Sequence, residues 1–184
     1  LQAALALNRR YFSSHDALAY GTEKKLCVCL DALERGDESH IIKREIYDRR
    51  VATLGVSDER TITSAMHVSA SSVSLLRWDE CKTFTRNQLP TARRSLGADH
   101  ENTLKLKALL ASSLCLDPEN TRNDLRLNQY GRWQPVFDLD TGDDILEAQT
   151  ILQDVVQRQR RIFGQGHYAE DLLSEVRARL AEGV

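Results

Sequence analysis

The chain repeats itself, and that limits its fold more than any other feature. Leu54-Gly55-Val56-Ser57-Asp58-Glu59-Arg60-Thr61-Ile62 returns as Leu96-Gly97-Ala98-Asp99-His100-Glu101-Asn102-Thr103-Leu104, 42 residues later. One period upstream, Phe12-Ser13-Ser14-His15-Asp16 is a degenerate copy. Downstream, Phe163-Gly164-Gln165-Gly166-His167 fits an offset of 67, one period plus an insertion of 25 residues. Other positions obey the same arithmetic. One column of mostly small residues reads Cys27, Ser69, Ala111, Ala178, and a second, 12 residues on, reads Ser39, Cys81, Ala148, each preceded by Glu38, Glu80 or Glu147. A fixed period of this length is the signature of a stacked repeat, in which each unit buries its apolar face only against its neighbours.

Each unit reads as two antiparallel helices. The pattern predicts helical pairs over 16–34 and 38–53, 59–76 and 80–95, and 101–116 and 143–163, then a last first-type helix over 168–182. Residues 1–12 would end a helix whose partner is missing. Gly55, Gly97 and Gly164 stand where a left-handed residue ends the second helix. Asp16, Asp58, His100 and His167 stand just before the first helix, where a side-chain acceptor satisfies free amide hydrogens. The two small columns fall where antiparallel helices must approach closely. Pro90 lies inside a predicted helix and is expected to bend or interrupt it.

Composition removes several classes. Lys plus Arg number 25 against 27 Asp plus Glu, a net charge of −2, so wholesale nucleic-acid binding is not expected. No run of 18 apolar residues can span a membrane. The 9 Gly and 3 Pro are too few for a turn-rich β-sandwich. Cys27, Cys29, Cys81 and Cys115 form neither a metal cluster nor a disulfide framework, and read as small half-buried thiols in a reducing, cytoplasmic compartment. No HExxH, Walker A, GxSxG or GxGxxG motif occurs, so neither an enzyme nor a cofactor site is expected. Asp138, Asp140, Asp143 and Asp144 alternate like the start of a calcium loop, but Gln149 stands where the loop's closing Glu belongs. Ser69, Ser71 and Ser72 have no visible base beside them.

The Leu96-Gly97-x-x-His100-x-x-Thr103-Leu104 signature, the 42-residue period and the Glu147-Ala148 pair resemble tetratricopeptide repeats of the kinesin-light-chain type. The resemblance implies an all-α fold, a right-handed α-solenoid over residues 1–184, interrupted by an insertion at 117–141. Independently of the resemblance, both ends fall mid-unit, so the sequence is expected to be a fragment of a longer array. Such arrays hold a protein or peptide on the concave face of their first helices. Helical spacing puts Lys24, Lys25, Val28, Thr63, Met66, His67, Ala70, Lys105, Ala108, Ser112, Glu175 and Arg179 on that side. Its mild basic bias suits an acidic or C-terminal peptide. In the insertion, Asp117-Pro118-Glu119 could start a short helix, and Tyr130, Trp133 and Phe137 are apolar anchors for docking on the solenoid or on a partner. The alternative is a structural subunit of a larger complex whose groove is not used.

Overall fold

A computed structural model describes residues 17–115, 125–127, 133–135, 143–164 and 167–181. The fold is all-α, with seven helices among the described residues: α1 (Ala17–Ala32), α2 (Gly36–Leu54), α3 (Glu59–Ser74), α4 (Trp78–Leu96), α5 (Glu101–Cys115), α6 (Asp143–Phe163) and α7 (His167–Ala181). Each agrees with the expected segments to within a few residues. Inside the insertion, β1 (Leu125–Leu127) and β2 (Trp133–Pro135) pair antiparallel, with Leu127 opposite Trp133. This ribbon was not foreseen, because three-residue strands carry too short an alternation to read. The expected helix start at 117–119 lies outside the described residues.

The helix ends follow local chemistry. Asp58 caps α3, its carboxylate accepting the Arg60 amide at 2.8 Å. His100 Nδ1 does the same for α5, accepting the Asn102 amide at 3.2 Å. Asp16 lies outside the described residues. Gly55 and Gly97 have the expected positive φ of 84° and 95°, but their ψ of 163° differs from the left-handed helical value. They occupy the mirror image of extended backbone, a region essentially reserved for glycine. The turn between first and second helix does use left-handed helical residues, and neither is glycine. Glu34 and Leu76 both have φ 58°. They close Schellman motifs, the Arg35 amide donating to the Leu30 carbonyl and the Arg77 amide to the Ser72 carbonyl, both at 2.9 Å. Gly36 then opens α2 where a Cβ would lie 2.9 Å from Leu75 Cδ2, so α2 starts tight against the end of α3.

Pro90 does not interrupt α4, which runs unbroken from Trp78 to Leu96. The residue sits on the exposed face, where water can satisfy the carbonyl that a proline leaves without an amide partner.

Every helix packs on the next along the chain, and α3 also meets α5, as α5 meets α7. The core follows this order as a string of local clusters. Cys27, Leu30, Ile42 and Ile46 fill the first hairpin, and Tyr47, Ala65, Val68 and Phe84 join the first to the second. Ile62, Ala92 and Leu106 follow, then a larger cluster around Leu110, Leu114, Leu152, Val155 and Val176. Burying each large aliphatic side chain contributes about 1.5–3 kcal/mol.

The predicted columns lie at the contacts. Cys27, Ser69, Ala111, Ser39, Cys81 and Ala148 are all between 0% and 3% exposed. Ser39 Oγ donates to the Cys27 carbonyl at 3.3 Å, and Cys81 Sγ lies 3.5 Å from the Ser69 carbonyl, both 12 residues apart. Ala178, last in its column, is exposed, because no described helix packs beyond α7. Cys29 is exposed too, against the expectation of half-burial for all four thiols.

Candidate functional site

The first helices α1, α3, α5 and α7 carry most of the expected binding residues, and the structure sorts them. Lys24, Lys25 and Val28 are exposed on α1. Thr63 on α3 is half-buried; its hydroxyl donates to the Glu59 carbonyl at 2.8 Å and accepts from Asn102 Nδ2 at 2.9 Å. Met66 is half-buried against the Ile62–Leu106 cluster. Lys105 is exposed on α5, its ammonium 2.6 Å from Glu101.

Ser112 does not belong to an open face. It is 0% exposed and donates to the Ala108 carbonyl at 2.9 Å, and Ala108 itself is buried. The α3–α5 and α5–α7 contacts cover that side of α5, which spacing within one helix cannot reveal. Tyr130 and Phe137 lie outside the described residues, as does the side chain of Arg179; Trp133 contributes only its backbone position in β2.

What the structure brings together is a cavity of about 160 Å³ between α1, α2 and α3, lined by Lys24, Val28, Asp31, Lys43 and His67. A wider cleft of about 590 Å³ shares Asp31, Lys43 and His67 with it and extends past Ala70 to Ser71. Lys25 lines neither. Lys43, on a second helix, was missed by a reading that placed the groove on first helices alone.

The cavity is cationic. Burial, helped by Lys24, Lys43, Arg50 and Lys105, holds the His67 imidazole down at about 4, so it is neutral at pH 7. Several cations of the region are already engaged. Arg50 donates to the Arg60 carbonyl at 2.6 Å and to Ser64 Oγ at 2.8 Å, with its guanidinium 3.8 Å from the Tyr20 ring centroid. Arg49 grips the buried Glu23 carboxylate through both oxygens at 2.6 Å. Lys43 donates to Asp31 at 3.0 Å. Lys24 makes no ion pair with any described residue.

A second arrangement was also missed. His40, 5% exposed, places Nδ1 2.7 Å from Ser71 Oγ and Nε2 3.0 Å from Glu80 Oε1. The serine stretch therefore does have a base beside it. Ser71, however, donates to the Val68 carbonyl at 2.8 Å, and it lies within α3, where the neighbouring amides are committed to helical bonds. The α3 amides are not free to hold an oxyanion, and the His40 contacts suit a pin joining α2, α3 and α4. Arg77 reinforces it, reaching Asp37 at 2.6 Å and Glu80 at 3.6 Å. The repeated Arg35-x-x-Glu38 and Arg77-x-x-Glu80, one period apart, was the available signal.

Burial raises the Cys27 and Cys81 thiols and pushes Cys115 up to about 12, so all three are poor nucleophiles. Among the described residues no three His, Cys, Asp or Glu side chains group as metal ligands, and no helix is long and apolar enough to cross a membrane. The alternating aspartates at 138–140 lie outside the described residues. In comparisons with protein-family models and with curated proteins, nothing matches this chain.

Proposed function

We propose that this chain is a protein-binding scaffold, a right-handed α-solenoid of tetratricopeptide-like hairpins resembling those of kinesin light chains. It holds a peptide or protein partner along the face of its first helices and works in the cytoplasm. The observation that carries the reading is the recurrence of one interhelical contact at the repeat period: Cys27 against Ser39, then Ser69 against Cys81. The string of small cores supports it, because stacked units bury their surfaces against neighbours rather than around one centre. The cations at Lys24, Lys43 and Lys105 favour an acidic partner segment.

The test is affinity capture from a cell lysate followed by mass spectrometry, using the chain with and without residues 117–141. A partner held by both forms and lost on charge reversal of Lys24 and Lys105 to Glu supports the reading. Partners insensitive to those reversals and released by removing 117–141 would instead place binding on the insertion. Retention only within a large complex, indifferent to both changes, favours a structural subunit.

A further inference from the structure

The small cavity and its wider neighbour meet at His67. Cations approach this imidazole from every helix that frames it. Lys24 comes from α1, Lys43 and Arg50 from α2, and Lys105 from α5. Among the described residues Asp31 is the one acid on the small cavity's wall, and it is bonded to Lys43 at 3.0 Å; Glu34 lines the wider cleft, and Ser64 is bonded to Arg50 at 2.8 Å. Lys24 is left with no ion pair among the described residues. The cavity is small, about 160 Å³, with Val28 and Ile46 giving it an apolar side. A cavity of this kind suits a single anionic oxygen group that enters with little water.

Resting on the partner-binding reading above, we propose that this cavity takes a carboxylate of the bound peptide beside Lys24 and that, in mildly acidic solution near pH 5, His67 gains a proton from solvent as the carboxylate enters. Near pH 5 one anion and close to one proton are taken up together, the imidazole becoming an imidazolium paired to the carboxylate; at pH 7 the anion enters beside a largely neutral ring. Without the anion, burial and four cations keep His67 neutral. An opposite charge within contact distance raises an imidazole by roughly 1–3 pH units. A rise of about two units, from about 4 to about 6, makes the anion bind about tenfold more tightly at pH 5 than at pH 7.

The experiment follows the histidine ring Cε1–H signals by NMR across pH, in the absence and presence of two probes: sulfate, whose charge is constant over this range, and N-acetylglycine, a simple carboxylate. His67→Asn identifies the His67 signal. The expected result is an upward move of the His67 titration with N-acetylglycine and tighter binding at pH 5. In Lys24→Ala, which alters an exposed side chain, the move shrinks. In His67→Asn, binding loses its pH dependence. A response to sulfate as well makes the pocket one for oxyanions in general; a response to N-acetylglycine alone marks it as carboxylate-selective. A His67 titration unmoved by either probe overturns the proposal. If a partner were still captured then, the scaffold reading would survive without this pocket. A responsive His67 with no captured partner would leave the pocket and remove the scaffold.

Discussion

Cys81 Sγ lies 3.5 Å from the main-chain carbonyl oxygen of Ser69, 12 residues earlier. At this spacing the chain leaves one helix, turns and returns along the next, and only a small side chain fits where the two meet. One period upstream the pair is Cys27 and Ser39, with the residue types exchanged.

The first prediction follows from this contact. Ala111→Leu and Cys81→Leu, both at 0% exposed positions, should each destabilise by about 1–3 kcal/mol through overpacking. Ala178→Leu, in the same sequence column as Ala111 but exposed, should change stability by less than about 0.5 kcal/mol. Urea unfolding of the three variants checks the contrast. Equal behaviour of Ala111 and Ala178 would contradict the contact.

Backbone conformation at the two kinds of turn predicts opposite signs. Gly97→Ala places a Cβ in open space, so its cost is backbone strain alone, about 1–3 kcal/mol at this φ and ψ. Glu34→Gly removes a non-glycine residue from φ 58° and should stabilise by about 0.5–1 kcal/mol, the relief of left-handed strain less the entropy of glycine. Thermal midpoints would show the first lowered and the second raised.

Lys107 is 9% exposed and pairs with Asp154, which also takes Arg158 at 2.6 Å. Asp154→Asn should strand a buried ammonium and cost about 2–3 kcal/mol, below the full buried-pair penalty because Asp154 is 35% exposed. Lys107→Met should cost under about 1 kcal/mol, since it removes the buried charge itself. Denaturant midpoints that ranked the two the other way round would refute the argument.

Thr61 and Thr103, one period apart, are 1% and 0% exposed, and their hydroxyls have no hydrogen-bond partner. Valine keeps the branched shape without the buried hydroxyl. Thr61→Val and Thr103→Val should each be neutral or stabilising by up to about 1 kcal/mol. A loss of stability in both would reveal a bond to the hydroxyl.

His67 makes stability depend on pH in a defined window. Its native value of about 4 lies below the ordinary imidazole value of about 6.5. Between these values the unfolded chain binds a proton that the native chain does not, so stability falls as pH drops from 6.5 to 4 and levels off below. The loss is about 1–2 kcal/mol once partial exposure of the ring is allowed for. His67→Asn should remove this part of the slope in unfolding measured at several pH values; an unchanged slope would show that the ring titrates alike in both states.

Helix limits, the Asp58 cap and the positions of close contact were legible in the sequence, because each depends on geometry within one hairpin. A helix has a fixed rise and pitch, so residues 12 apart across a short turn must face one another whatever lies further away. The exposed place of Pro90 and the left-handed Glu34 and Leu76 were not legible. A buried face or a satisfied Schellman motif overrides the local preference of a single residue.

The amino-acid order alone thus determined that this chain is a succession of paired helices with a period, and which small residues close each pair. Only the tertiary structure decided which side chains those pairs bury and which they leave exposed. It buried Ser112 under neighbouring helices, turned His40 into a pin across three helices, and drew Lys24, Lys43, Arg50 and Lys105 toward His67. The reason is that burial and Coulomb interactions depend on distances between units, and the turn of one hairpin against the next is not encoded in the spacing within either.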